Sequence, residues 1–317
     1  MRRIFASLLA GAALVTAAPA IAQDGNTQQT EQQDQTQQPS KGRQVLGRIL
    51  DVILGPDQSQ QNTATNAQTS VAPVAMNDVL ANARRDADRA RDMYRNPAET
   101  LAFFQVRPGQ TVVDYMPASG WYTRVLVPYL GSQGLYIGLT PDPDAADGQR
   151  FADYFTGLPG KFRQAAPNWS LTGAPVSIYA SQELPDELDG KVDRVLIFRE
   201  MHNLLRSGAM YTELTRIRDL LKPDGMVGIV QHRAKANAPA DYTLGGNGYL
   251  READVVALMR AHGFELMAQS NINANPRDTA DHEGGVWQMP PTWGGKKPEL
   301  ENLGESDRMT LLFRKAR

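Results

Sequence analysis

An alternation constrains this chain more than any other feature. Between residues 111 and 263, short apolar runs rich in β-branched and aromatic residues take turns with segments of helical period. TVVDYM, GLYIGL, PVSIYA, VDRVLIF and MVGIVQH read as strands, with WYTRVLVPYL, FADYFTGL and YTELTRIRDLL as helices among them and EADVVALMRAHG as the helix after the last. Strands this apolar must be covered on both faces, which implies a parallel sheet between two layers of helices. FELMAQSNINA and RMTLLFRKA add two strands with no helical period between them. Without a crossover helix they are most simply antiparallel neighbours. The expected fold is an α/β three-layer sandwich around a mainly parallel, seven-stranded sheet whose last strand is antiparallel. Ahead of it, a long charged helix is expected over 77–95, ending before Pro97, and a second over 98–104.

The N-terminus has a different character. Arg2 and Arg3 precede an apolar run, Phe5 to Ala18, that is too short for a permanent membrane anchor, and Ala20-Ile21-Ala22 supplies an A-x-A cleavage site. A signal peptide over 1–22 is expected, and with it an exported, periplasmic protein whose mature chain has no transmembrane segment. The order Arg2-Arg3-Ile4-Phe5 resembles the core of a twin-arginine signal. Residues 23–75 are dense in Gln, Thr, Ser, Asn and Asp and bury too little apolar surface to offset the entropy of ordering, so they read as a disordered linker. Within it, Val45, Leu46, Ile49, Leu50, Ile53 and Leu54 recur at helical spacing over 42–55. That segment is either a loosely packed short helix or a docking or membrane-surface helix. The folded domain is expected over 76–317.

The 317-residue chain has no cysteine and a formal net charge of −2. That excludes disulfides and metal–thiolate sites, and gives no electrostatic case for nucleic acid as a partner. A small molecule is the expected partner.

In open α/β sheets the ligand lies beyond the carboxyl ends of the parallel strands, where strand order reverses. The first strand delivers Asp114, followed by the small-residue turn Met116-Pro117-Ala118-Ser119-Gly120. Such a turn serves either tight packing or the approach of backbone amides to a ligand. The fourth strand ends in Arg199, Glu200, His202 and Asn203, and the fifth in Gln231, His232 and Arg233. These polar ends are either hydrogen-bonded caps or the lining of a cavity. Two histidines are half of a metal site, but no third ligand is evident, so no metal is expected. The strings INANPRD and GESDR converge on the same edge from opposite directions, bringing Asn273, Asn275, Arg277 and Asp278 to Glu305, Asp307 and Arg308. They form either a substrate subsite or an ion-paired clamp. The loop between them, with His282, Trp287 and Trp293, is long enough for a lid.

RNPAETLAFFQVRPGQTVVDY, SGWYTRVLVPYL, FREMHNL, LKPDGMVGIVQHRA, INANPRDT, GVWQMPPT and GESDRMTL together resemble a family of exported, predicted class I S-adenosylmethionine (SAM)-dependent methyltransferases. The similarity runs from about residue 91 to 315. It implies a Rossmann-like fold of the class I methyltransferase type with SAM as cofactor, and names no acceptor. The class I first motif is an acid followed by three alternating glycines. Asp114 and Gly120 match its ends, while Met116 and Ala118 stand where glycines are usual. The resemblance assigns cofactor contacts to Asp114, Pro117, Ser119, Gly120 and Trp121. Leu139-Thr140 occupy the place of the ribose-binding acid, leaving Asp142 as substitute, and Glu183 falls where an acid contacts adenine.

Methyl transfer from a sulfonium requires in-line alignment and desolvation more than a dedicated nucleophile. His202 and His232 are the candidate bases where the acceptor must lose a proton. Arg199 and Arg277 are candidates to orient an anionic acceptor, with Asn203 beside Arg199. The competing expectation is a non-catalytic binding or envelope-associated protein on the same fold. A nicotinamide-dependent oxidoreductase fits less well because GxGxxG is absent.

Overall fold

A computed structural model of the chain describes residues 71–316. The expected signal peptide, and the linker to residue 70 with its 42–55 segment, lie outside the described residues. Ahead of the first helix, Val74 N donates to Pro128 O (3.1 Å) and Ser132 N to Val71 O (2.9 Å).

The seven strands are β1 (Thr111–Tyr115), β2 (Leu135–Thr140), β3 (Val176–Ala180), β4 (Val192–Phe198), β5 (Leu221–His232), β6 (Phe264–Ser270) and β7 (Arg308–Lys315). They form one sheet in the order β3-β2-β1-β4-β5-β7-β6. β1 to β5 pair in parallel, and β7 inserts antiparallel between β5 and β6. The final strands are therefore neighbours, as expected, and β6 runs with the parallel set. Strand order reverses between β1 and β4. In register, His232 stands opposite Arg308 and Ser270 opposite Thr310, which brings the polar start of β7 to the carboxyl edge.

Each face of the sheet carries its own core. On one, β1 sends Val113 and Tyr115 toward Leu214, Ile217 and Val255. On the other, Val112 and Leu196 meet Leu101, Phe104, Val125 and Leu126. Gly228 lies under the Phe104 ring, where a Cβ would come within 2.5 Å. The helices supplying these side chains are α1 (Met76–Ala81), α2 (Asp86–Arg89), α3 (Asp92–Arg95), α4 (Pro97–Phe103), α5 (Thr123–Leu130), α6 (Gln149–Ala165), α7 (Met201–Arg206), α8 (Met210–Leu220) and α9 (Glu252–Ala261). Between β3 and β4 run only two short 3-10 turns, Ser181–Glu183 and Asp186–Leu188. Among the described residues no helix is long and apolar enough to cross a membrane.

One expectation fails. The helix predicted over 77–95 is broken at Asn82, whose backbone is extended and whose side chain accepts from Arg84 N (3.1 Å), and again around Ala90 and Arg91. The polar residues of this segment wrap around Trp121. The Arg85 and Arg95 guanidinium groups lie over its ring, 4.9 and 4.7 Å from the centre, while Asp88 accepts from Arg124 Nε and Nη2 at 2.6 and 2.7 Å. A continuous helix would set Arg85 and Arg95 about 15 Å apart along its axis, and the break lets both reach one ring, so tertiary contacts override local propensity.

Candidate functional site

The turn after β1 keeps the backbone of a glycine motif without its glycines. Met116, Ala118 and Gly120 have φ of 52°, 49° and 75°. A side chain in this left-handed region costs about 1–2 kcal/mol, so Met116 and Ala118 hold the shape under strain. The Met116 side chain is buried in the core that includes Leu139 and Met201, and Met116 N donates to Leu139 O (2.7 Å). A Cβ on Gly120 would overlap the Trp169 ring. Ala118 and Ser119 are exposed and Pro117 half-buried, so the turn itself is open.

The acids assigned to the cofactor are differently employed. Asp114 is buried behind the turn, where Tyr136 Oη donates to it (2.8 Å) and lies 2.7 Å from Thr123 Oγ1 in α5. Burial pushes its carboxyl up to about 7 against the Tyr136 hydrogen bond, with Glu200 adding to the rise. Asp142 accepts from Asp144 N (2.9 Å), capping its own turn. Glu183 is exposed. Trp121 is 5% exposed, with the Arg85 and Arg95 guanidinium groups over its ring. The acid that does reach the end of β2 is Glu213 of α8, which accepts from Asp142 N (2.9 Å), Ser181 Oγ (2.6 Å) and Tyr115 Oη (3.0 Å). Its sequence context, inside YTELTRIRDLL, is that of an ordinary helix-face glutamate and gives no signal.

Across the switch point, β4 ends at Phe198 and Arg199 takes φ 65° with its N donating to Val230 O (2.6 Å). Glu200 begins α7 and accepts from Asn203 Nδ2 (2.6 Å). Burial pushes the Glu200 carboxyl up to about 7, with Asn203 and Arg199 opposing.

His202 and His232 come together, with ring centres 5.8 Å apart. Burial lowers His202 to about 4 and His232 well below its ordinary value, so both are neutral at pH 7. Gln231 Nε2 is fixed as a donor by Gly248 O (2.7 Å) and makes a long contact of 3.4 Å to His202 Nδ1. That assigns the proton of neutral His202 to Nε2. His232 Nδ1 lies 2.6 Å from Ser306 Oγ. Among the described residues no three His, Asp or Glu side chains gather as a metal-ion ligand set.

The two polar strings meet each other. Asn273 Nδ2 donates to Thr100 Oγ1 and Thr310 Oγ1 (2.9 and 3.1 Å), and Asn275 Nδ2 to the Leu303 and Glu305 carbonyls (2.9 and 2.6 Å). Asp307 takes Arg233 on both oxygens at 3.0 Å. Asp278, fully buried, accepts from Tyr249 Oη, His282 Nε2, Ala280 N and Asp307 N. These residues hold the final strand and the lid. Arg277 is exposed and donates to Asn302 O (3.1 Å). Trp287, in the loop between β6 and β7, stands edge-on to His202 at 6.1 Å. Glu305 and Arg308 belong to an arginine cluster with Arg91 and Arg95.

The sheet order, with its antiparallel β7, defines a Rossmann-like α/β fold of the class I methyltransferase type. No protein-family model and no curated protein matches the chain. Solved structures do. A SAM-dependent methyltransferase from Aquifex aeolicus is 18% identical, with 59% of this chain and 88% of that one covered and a TM-score of 0.41. The 1,6-didemethyltoxoflavin-N1-methyltransferase of Burkholderia thailandensis, solved with bound 1,6-didemethyltoxoflavin and S-adenosylhomocysteine, is 16% identical, covering 81% and 100%, with a TM-score of 0.39. The cyclase SpnF is 15% identical, covering 74% and 85%, with a TM-score of 0.43.

Proposed function

We propose that this chain is an exported SAM-dependent methyltransferase acting on a small-molecule acceptor, with SAM held at the switch point between β1 and β4. The observation that carries the reading is the open turn at the end of β1. Its left-handed residues Met116, Ala118 and Gly120 alternate as the glycines of the class I motif do. Strain maintained at a switch point is what a preserved ligand cradle requires.

The residues present fit the cofactor at its amino-acid end. Glu200, half-buried with its carboxyl raised to about 7, offers a site that a neighbouring cation stabilises. SAM bound there would supply an electrophilic methyl group on a sulfonium. The turn from Pro117 to Gly120 would meet its carboxylate through backbone amides. Asp142 and Glu213 are the acids nearest the ribose end. Asn203 orients Glu200 through its 2.6 Å hydrogen bond. His202, with its proton on Nε2, donates to an acceptor oxygen, and Trp287 excludes water from it.

Calorimetry of the full chain with SAM and S-adenosylhomocysteine tests the proposal. Saturable micromolar binding of both is expected; no binding of either removes it. A second reading, a ligand-binding protein without turnover, is favoured by the ribose end, where Asp142 caps its own turn and Glu183 is exposed. Binding without methyl transfer to any acceptor would select it. The route of export is tested by a reporter fusion with Arg2 and Arg3 changed to lysine: a twin-arginine signal loses export, and unchanged export rejects that route.

A further inference from the structure

Four arginines meet near the ends of β4 and β5 and the start of β7. Arg91 precedes α3, Arg95 ends it, Arg199 follows β4 and Arg308 opens β7. Glu305 is the carboxylate among them, accepting from Arg91 Nε at 2.5 Å, Arg95 Nε at 3.3 Å and Arg308 Nη1 at 2.9 Å. One carboxylate thus faces four guanidinium groups.

Their donors are not used up. Arg95 and Arg308 are each 3% exposed, yet Arg95 Nη2 and Arg308 Nε have no acceptor. Among the described residues nothing accepts from the Arg199 guanidinium, which Glu305, Arg308, Arg91 and Glu200 surround. Arg199 is only partly covered, unlike Arg95 and Arg308. Desolvation, and then the neighbouring Arg199, lower the pKa of Arg95 well below its ordinary value, so the cluster repels itself. The two histidines are neutral and add no further positive charge. Tyr122, buried and stacked on Phe198 at 3.5 Å, lies within the field of Arg95, Arg308 and Arg199. Like charges gathered with unmet donors, one of them on a strained backbone, cost stability unless a ligand completes them.

We propose that Arg199, Arg95 and Arg308 form an oxyanion site, and that the methyl acceptor carries a doubly charged tetrahedral group of the phosphate type. The donors arrive from three elements, α3, the end of β4 and the start of β7. Donors that converge from several directions match the spread of oxygens on a tetrahedral dianion. Only the identification of the anion's bearer as the acceptor rests on the methyltransferase reading; the oxyanion site does not.

Titration of the full chain with inorganic phosphate and with acetate, at constant ionic strength and pH 7.5, tests this. Phosphate is expected to bind saturably at one site per chain, at least about tenfold more tightly than acetate. Arg199→Gln should weaken phosphate by about tenfold or more, the loss of a charge-assisted hydrogen bond, with a melting temperature equal to or above the wild type's because one repelling charge is gone. Arg199→Lys, which keeps the charge and loses the fork, should fall between. Absent phosphate binding, or binding undiminished in Arg199→Gln, overturns the site. S-adenosylhomocysteine titrated into the same preparation separates the two proposals. Phosphate binding without it leaves the oxyanion site and removes methyl transfer, and the reverse removes the oxyanion site alone.

Discussion

Glu305 Oε2 lies 2.9 Å from Arg308 Nη1 at the start of β7, and the same carboxylate holds Arg91 and Arg95. Burial alone would raise its pKa, but Arg95, Arg308 and Arg91 outweigh that and hold it at about 2. A depressed carboxylate contributes stability that is present above its unfolded value and lost as pH falls through the folded one. Glu305→Gln leaves two buried guanidinium groups without their counter-charge, so it should cost about 3–5 kcal/mol in urea unfolding at pH 7. The difference from the wild type should shrink as pH falls from about 4.5 toward 2. A loss below about 1 kcal/mol, typical of a surface pair, would show that the cluster is not held by this residue.

Asp114 titrates in the opposite sense. Its carboxyl is raised to about 7, by burial first, so the folded state binds a proton that the unfolded chain has released above its ordinary 3.8. Stability from this group therefore falls as pH rises from about 4 to about 7. Asp114→Asn keeps an oxygen for the Tyr136 hydroxyl and has nothing to ionise. Its stability relative to the wild type should rise by a few kcal/mol, in order of magnitude, between pH 5 and pH 8. His202 and His232, with lowered pKa values, oppose Asp114 in the total curve, so the difference between variant and wild type is the quantity to measure.

Ala118 is exposed at φ 49°, a conformation that glycine adopts without strain. Ala118→Gly should stabilise the domain by about 0.5–1 kcal/mol, the relief of left-handed strain less the added freedom of the unfolded chain. Gly120→Ala should do the reverse by more than about 2 kcal/mol, because strain at φ 75° is joined by overlap with Trp169. Thermal unfolding of the two variants decides whether the turn is held in this shape. Equal effects of the same sign would reject it.

The strands were legible because a buried parallel sheet needs unbroken apolar runs, and the antiparallel end because no helical period separates FELMAQS from RMTLLFRK. What escaped were side chains whose role depends on tertiary reach. Arg91 and Arg95 sit in a charged segment that reads as a solvated helix face, yet they turn inward on Glu305. Glu213 lies in helical register like any surface glutamate and is fully buried only because α8 passes beneath the end of β2. Conversely, Asn273, Asn275, Asp278 and Asp307 were visible as polar strings. Their hydrogen bonds to one another's segments, which engage them in holding β7 and the lid, were not visible.

The lid depends on Asp278. Its carboxylate accepts from Tyr249 Oη (2.9 Å), His282 Nε2 (2.9 Å), Ala280 N (2.9 Å) and Asp307 N (2.7 Å), joining the loop after β5, the lid and the start of β7 at one buried point. Asp278→Asn replaces one acceptor oxygen by a donor, so the hydroxyl and amide that shared Oδ2 cannot both be kept. A buried donor left unmet costs about 1–3 kcal/mol, enough to raise local opening roughly 5- to 150-fold. Amide exchange should accelerate over residues 278–289 and 242–250, which share the small core of Ala280, Val286, Tyr249 and Tyr242, and remain slow in β1 and β4. Because Trp287 stands over His202, opening should readmit water and return the His202 pKa from about 4 toward its ordinary 6.5, measurable by NMR titration. Faster exchange with an unmoved His202 would mean that the lid is anchored here but does not seal the histidine.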